Sequence, residues 1–285
     1  MTRLNLVFLA AAVWAAGTSA AVSGDRLAWT GAVTEIEGSA GGGLVPWALI
    51  GGLGTAEQIG ATGSATYVST GDFNLRTAGL SIEADDRVEV SYARQRFDAG
   101  AVIPGLVLGQ DVVGIKVRVA GDAVFEPDRW LPQLAVGAQW KHTLDFTQIP
   151  RALGAASGQD VELYVAATKL YFAAVAGRNV LLDLTARRTR ANQFGLLGFG
   201  GEARPYQWEP EASAAVFVTE TWLLGGEYRA KPDNLAAFHE DAAKDVFLAW
   251  GPAKNLSLTV AAVDLGRIAG KPPQRGVYVS LWVGI

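Results

Sequence analysis

The sequence contains no cysteine, a single methionine and only two histidines in 285 residues. Without thiols, neither a disulfide framework nor a thiolate metal site is available. With His142 and His239 as the whole supply of imidazole, histidine-based acid–base chemistry has little to draw on. Charge is sparse as well: 18% of residues are charged and the net formal charge is −4, which leaves no basic footprint for nucleic acid. The charges are dispersed rather than gathered in like-sign runs, against a disordered tail. Past the N-terminal region no apolar stretch is long enough for a membrane-spanning helix. The nearest, "LYVAATKLYFAAVAGRNVLLDL", is interrupted by Lys169 and Arg178.

What the chain does have is apolar residues, half of the total, and 34 glycines. Its start, "MTRLNLVFLAAAVWAAGTSAAVSGD", places Arg3 before an apolar core at 4–16 and then small residues. That order reads as a secretory signal peptide, residues 1–20, cleaved after Ala20 or Ala21. Loss of Arg3 takes the mature chain from −4 to about −5. An exported, apolar chain without helical spans fits a transmembrane β-barrel, whose strands alternate polar and apolar residues.

The alternation runs through most of the chain. "VVGIKVRVA" sets Val113, Ile115, Val117 and Val119 against Gly114, Lys116 and Arg118. "LAVGAQWKHT" opposes Leu134, Val136, Ala138 and Trp140 to Gln139 and Lys141. "NVLLDLTARR", "YQWEPEASAAVFV", "WLLGGEYRAK", "NLSLTVAA" and the final "GVYVSLWVGI" behave alike, and 59–69, 73–83, 87–97, 160–171 and 244–251 are weaker matches. The expectation is an all-β, closed antiparallel transmembrane barrel of about 12 strands, within 10–14, each near the length a tilted strand needs. It spans 59–285, behind a Gly-rich segment, 21–58, that is either a periplasmic lead-in or a plug.

Connections alternate in length. Those at 84–87, 173–178, 219–221 and 251–254 are tight, and those at 98–109, 145–159, 192–205, 231–244 and 266–275 are long. This is the asymmetry of short periplasmic turns and long external loops, broken only by the short 69–72 and the longer 121–132. Tyr67, Tyr92, Trp130, Trp140, Trp208, Trp222, Tyr228 and Trp250 are placed for aromatic girdles. Residues 276–285 form an alternating last strand that would pair with the first and serve as the address read by the barrel assembly machinery.

The segments "GGGLVPWALIGG", "VEVSYARQRFD", "LLGGEYRAKPDNLAAF" and "KDVFLAWGPAKNLSLTVAAVDLG" resemble an uncharacterised family of Gram-negative proteins catalogued only as a domain of unknown function. The resemblance runs from about residue 38 to the end. It implies an outer-membrane barrel and brings no activity or catalytic residues with it.

With the apolar parity facing lipid, the lumen receives a basic stripe, Lys116, Arg118 and Lys141, and an acidic stripe, Glu209, Glu211 and Glu227. Asp183, Arg187, Arg229 and Lys231 join them. Opposed stripes would set a transverse field across a water-filled pore, so the expected function is a porin-like passive channel for small polar solutes. The alternative is a closed or plugged barrel with a structural, assembly or export role. Arg94, Arg96, Arg188 and Arg190 fall on the apolar parity near the external ends, where they snorkel or meet lipopolysaccharide phosphates. His142, Asp145 and Ser157 admit a hydrolase triad only formally, since no G-x-S-x-G is present. "FHEDAAKD" gathers His239, Glu240, Asp241 and Asp245 without metal-ligand spacing. No cofactor, metal or nucleic acid is expected, and the location is the Gram-negative outer membrane.

Overall fold

The computed structural model describes Trp29, residues 33–201 and residues 205–285. The signal peptide read at 1–20 lies outside the described residues. Two short strands come first, β1 (Val33–Thr34) and β2 (Ala40–Gly41). Twelve longer ones follow: β3 (Ile59–Thr70), β4 (Asn74–Ala84), β5 (Val88–Asp98), β6 (Val107–Ala120), β7 (Gln133–Thr143) and β8 (Gln159–Val175). The circuit continues through β9 (Arg178–Thr189), β10 (Gln207–Phe217), β11 (Trp222–Arg229), β12 (Ala243–Ala253), β13 (Leu256–Asp264) and β14 (Arg275–Gly284).

Strands β3 to β14 make one closed barrel in which each pairs antiparallel with its chain neighbours. The ring shuts between β14 and β3, with Val279 opposite Tyr67 and Leu281 opposite Ala65. Ile285 continues that ladder, exchanging backbone hydrogen bonds with Ala61 at 2.9 and 3.0 Å. Closure leaves no edge in the ring.

Period-2 alternation decides which side chains meet lipid. Leu80, Ile82, Val90, Ile115, Leu184, Val246 and Val277 are exposed on the outer wall, whereas Glu89, Lys116, Asp183 and Ser280 face inward and are buried. All eight girdle aromatics are exposed. Trp222 stacks on Trp250 at the rim where β3 begins and β14 ends, with ring centroids 5.7 Å apart. Tyr67, Trp140, Trp208 and Tyr228 lie towards the opposite rim.

The first rim carries the turns 85–87, 176–177, 218–221 and 254–255, and the other carries the loops 99–106, 144–158, 190–206, 230–242 and 265–274. Short turns mark the periplasmic side. Two of the tight turns begin later than expected, the first because β8 runs on to Val175 and leaves only 176–177. β12 continues through Gly251-Pro252 to Ala253, and the turn is Lys254–Asn255. Pro252 has no N–H to give the ladder, so the register shifts between Trp250 and Ala253 instead of the strand ending.

Residues 33–54 are buried throughout, and their partners are inward side chains from β5 through β11. Of the two placements open for the Gly-rich segment, this part occupies the lumen. Trp29 packs edge-on against Phe217 at the periplasmic rim and donates its indole N–H to the Glu220 carbonyl. Since β3 starts at that same rim, the segment enters and leaves from the periplasmic side. Within it, β1 pairs with β2 through Val33–Gly41 and Thr34–Ala40.

The external mouth is covered as well. Residues 191–200 fold inward and are all buried, with Gln193 and Phe194 in the left-handed region at φ 46° and 61°. Phe194, Leu196 and Leu197 pack with Phe73, Phe97, Leu265 and Ile268 of the barrel and Ile36 and Leu44 of the plug. A cavity of about 30 Å³ remains among them.

Candidate functional site: the occupied lumen

A chain segment that packs inside a barrel without a regular ladder must find partners for its backbone groups elsewhere. Here the inner wall supplies them. Lys116 Nζ, from β6, donates to the carbonyls of Ala40 at 2.7 Å and Leu49 at 2.8 Å. Its neighbour across the ladder, Glu89, lies 3.3 Å away. Glu89 accepts from Ser39 Oγ and Ala40 N through one oxygen and from Gly51 N through the other, at 2.9–3.0 Å. On the far wall Glu227 Oε2 accepts from Gly43 N at 2.6 Å and Leu44 N at 2.7 Å. Ser213 Oγ donates to its other oxygen and accepts from the Trp47 indole N–H. Thr168, Gln133, Thr185 and Gln95 bind Ala48 N, Ala48 O, Pro46 O and Ile36 O respectively, at 2.7–3.0 Å.

Between these anchors lies a network of alternating charge. Glu37 of the plug meets Lys141 Nζ at 2.5 Å and Arg229 Nη2 at 3.0 Å. Arg187 reaches Glu211 at 2.5 Å and Glu162 at 3.0 Å, and Lys141 reaches Glu162 at 2.6 Å. Arg229 lies 3.3 Å from Glu211 and donates to the Leu44 carbonyl. Glu35 takes a hydrogen bond from Gln139 and stands 3.8 Å from both Arg187 and Arg229. The whole set is at most 3% exposed. Buried charges are tolerated only when paired and hydrogen-bonded in this way.

Of the six residues of the two expected stripes, Lys116, Lys141, Glu211 and Glu227 face the interior that residues 33–54 fill. Lys116 and Lys141 are consumed by the plug and its carboxylates, and Glu211 and Glu227 by arginines and plug amides. Arg118 lies at the periplasmic rim, paired with Asp86 at 2.6 Å and Asp122 at 3.0 Å. Glu209 is half-buried near the external end. Asp183 accepts from Thr168 and Thr185. The position of Arg187 at the centre of the network, and the parts played by Glu35, Glu37, Glu89 and Glu162, were not singled out in the sequence. The spacing Glu35–Glu37 in "TEIEGS", two carboxylates in a segment with no strand pattern of its own, was the available signal.

Outside the lumen, Arg94 pairs with Asp111 at 2.8 Å and Arg190 with Asp160. Arg188 stacks over the Tyr206 ring at 3.7 Å, and Arg96 is exposed on the outer wall. His142 stacks on Trp140, Ser157 donates to the Gln159 carbonyl and Asp145 accepts from Gly109 N. No hydrogen bond joins these three among the described residues. The acidic loop also divides. His239 meets Asp233, Asp241 meets Arg267, and Asp245 sits inside the barrel opposite Glu227.

The external cap has its own polar tie. Glu240 accepts from Gln193 N through both oxygens at 3.0 Å and lies 3.6 Å from Lys231. Burial pushes its carboxyl up to about 7, against the pull of Lys231 and the Gln193 amide. Asp241, exposed and bound by Arg267, is held down at about 2.

Fold and site together define a transmembrane β-barrel of the outer-membrane type, closed by a folded segment of its own chain. The protein belongs to the family described as "Protein of unknown function (DUF3034)", whose model matches residues 30–282. No curated protein matches it. Among solved structures it is similar to the KdgM porin in complex with disordered oligogalacturonate, at 10% identity and a TM-score of 0.51, over 78% of this chain and 98% of that one. It also matches the NanC porin, at 10% identity and a TM-score of 0.48 over 78% and 98% of the two chains. The outer membrane protein Omp33 of Acinetobacter baumannii matches at 10% identity and 0.43, over 80% and 98%. At these identities the likeness to KdgM is one of fold.

Proposed function

We propose that the protein is an outer-membrane channel for small polar solutes that rests closed, with residues 33–54 as its gate. The observation that carries this reading is the bonding of the gate. Its amides and carbonyls are held by Lys116, Glu89 and Glu227, side chains that would line an aqueous passage once the segment moved. A polar inner wall suits both states, because water can replace the plug as partner for the same groups. The gate enters and leaves at the periplasmic rim, so movement towards the periplasm needs no threading through the barrel.

Planar-bilayer recording of the refolded mature chain, with and without residues 22–57, tests the reading. Silence or rare openings in the full chain and steady current in the shortened one are expected. Steady, plug-independent current in both would remove the gate. Silence from both, with folding confirmed by heat-modified gel mobility, would favour the alternative of a structural or assembly barrel.

A further inference from the structure

The outer wall carries two adjacent arginines that no acidic side chain answers among the described residues. Arg76 of β4 and Arg96 of β5 are Cα partners in the ladder, and both side chains are exposed on the lipid-facing parity. Like charges directly opposite each other destabilise a sheet, and neither arginine has a carboxylate partner among the described residues. The nearby acids are engaged. Asp111 is taken by Arg94 and Tyr92, and Asp98, two residues beyond Arg96, caps the Gly100 amide at 2.9 Å. Arg76 has only the face of Tyr67, 5.8 Å from its guanidinium carbon.

The level of the pair on the barrel selects the occupant. Eight residues separate Arg76 from Ala84 at the periplasmic end of β4. At ~3.3 Å per residue and ~40° tilt they span about 20 Å of the membrane normal, against an apolar band of roughly 25 Å. The two guanidinium groups thus stand at the external boundary of the hydrocarbon. One level below them stand Ala78 and the Arg94–Asp111 ion pair, and below that Leu80, Ile82, Val90, Val113 and Ile115 form an exposed apolar strip on three adjacent strands. A doubly basic head site above a strip for acyl chains is complementary to an anionic amphiphile. Two planar forks on adjacent strands match a phosphate group in particular.

We infer that Arg76 and Arg96 bind a phosphate group of a phosphorylated glycolipid in the outer leaflet, with the strip at Leu80, Val90 and Val113 receiving its acyl chains. Of the four outward arginines noted in the sequence, Arg94 and Arg190 are paired with carboxylates and Arg188 lies flat on the Tyr206 ring, so Arg96 is the one with neither contact and takes this role. Arg76 is its structural complement.

Native mass spectrometry of the detergent-purified full chain, titrated with bisphosphorylated lipid A, its dephosphorylated form and inorganic phosphate, tests the site. Wild type should prefer the phosphorylated lipid, and R76Q/R96Q should lose at least tenfold in affinity for it while holding the dephosphorylated lipid unchanged. R76E provides a second test that does not depend on loss of fold. It places a carboxylate opposite Arg96, so it should keep or raise the melting temperature yet abolish the preference for phosphate. Equal affinity of wild type and R76E for both lipids would overturn the site. Inorganic phosphate that competes at the same concentration as lipid A would overturn its assignment to a lipid.

Discussion

Lys116 is the residue on which most converges. Its ammonium satisfies two plug carbonyls and neighbours Glu89, all within a wall position that the alternation of β6 turns inward. K116M keeps much of the stem and removes the charge, leaving two carbonyls without their donor and Glu89 without its counter-charge. Removing one partner of a buried charged cluster costs about 3–5 kcal/mol, so the urea midpoint should fall or the plug should detach before the barrel unfolds. An unchanged midpoint with an undisturbed plug would contradict the pairing. Glu240 is the residue-scale handle outside the membrane. Its carboxyl is raised from its ordinary 4.5 to about 7 by burial. A raised folded value means the contribution is complete below about 4.5 and is lost as pH climbs through about 7. Facing it are Lys231 and, more distantly, Asp233, of which the acid adds to the upward push. Protection of the cap amides, 192–198, corrected for the intrinsic rise of exchange with pH, should therefore be lower at pH 8 than at pH 5, and E240Q should flatten that difference. The reverse order would mean the ionised form is the one the cap prefers.

At the scale of elements, the strands were legible because each carries its own pattern. Val113, Ile115 and Val117 against Lys116 and Arg118 need no other part of the chain to be recognised, and the apolar, in-phase 276–285 pointed directly to the β14–β3 closure. The plug and the cap were not legible in the same way. Their partners come from strands scattered along the sequence, and "QFGLLGFG" at 193–200 reads as one more Gly-rich loop until Phe73, Leu265 and Ile268 are placed around it. The apolar Phe194, Leu196, Leu197 and Phe199 within that loop were the overlooked sign, since an external loop in water has no use for them. Inside the plug, the glycine triplet has a steric reason. A Cβ on Gly41 would come within 2.2 Å of the Val45 carbonyl oxygen, and one on Gly42 within 1.9 Å of Glu227 Oε1. The backbone obstruction at Gly41 cannot be relieved by rotating a side chain. G41A is thus expected to loosen the turn after β2, where Gly41 bridges to Pro46, and raise the opening frequency in bilayer recordings without changing the single-channel conductance of the open state. An unaltered opening frequency would mean that this turn does not hold the gate.

For the molecule as a whole, the sequence pointed to a barrel with polar groups inside, and the same polar groups allow two readings: the lining of a channel or the socket of a plug. Length and pattern alone did not separate them, because Lys116, Lys141, Glu211 and Glu227 suit either. In the structure Glu35 and Glu37 complete the charge pairing from within, which is the arrangement of a plug in its socket. The absence of cysteine makes that state directly measurable, because a single introduced thiol is the only one present. Ser39 is 1% exposed and held against Glu89 deep in the lumen. The decisive measurement is the rate at which a water-soluble maleimide labels S39C in the folded full-length mature protein, relative to a thiol at the exposed position 125 in the 121–132 connection. A closed, plugged lumen predicts labelling of S39C at least a hundredfold slower than F125C, rising to the same rate in denaturant. Comparable rates in the folded protein would place the segment in water and contradict the account.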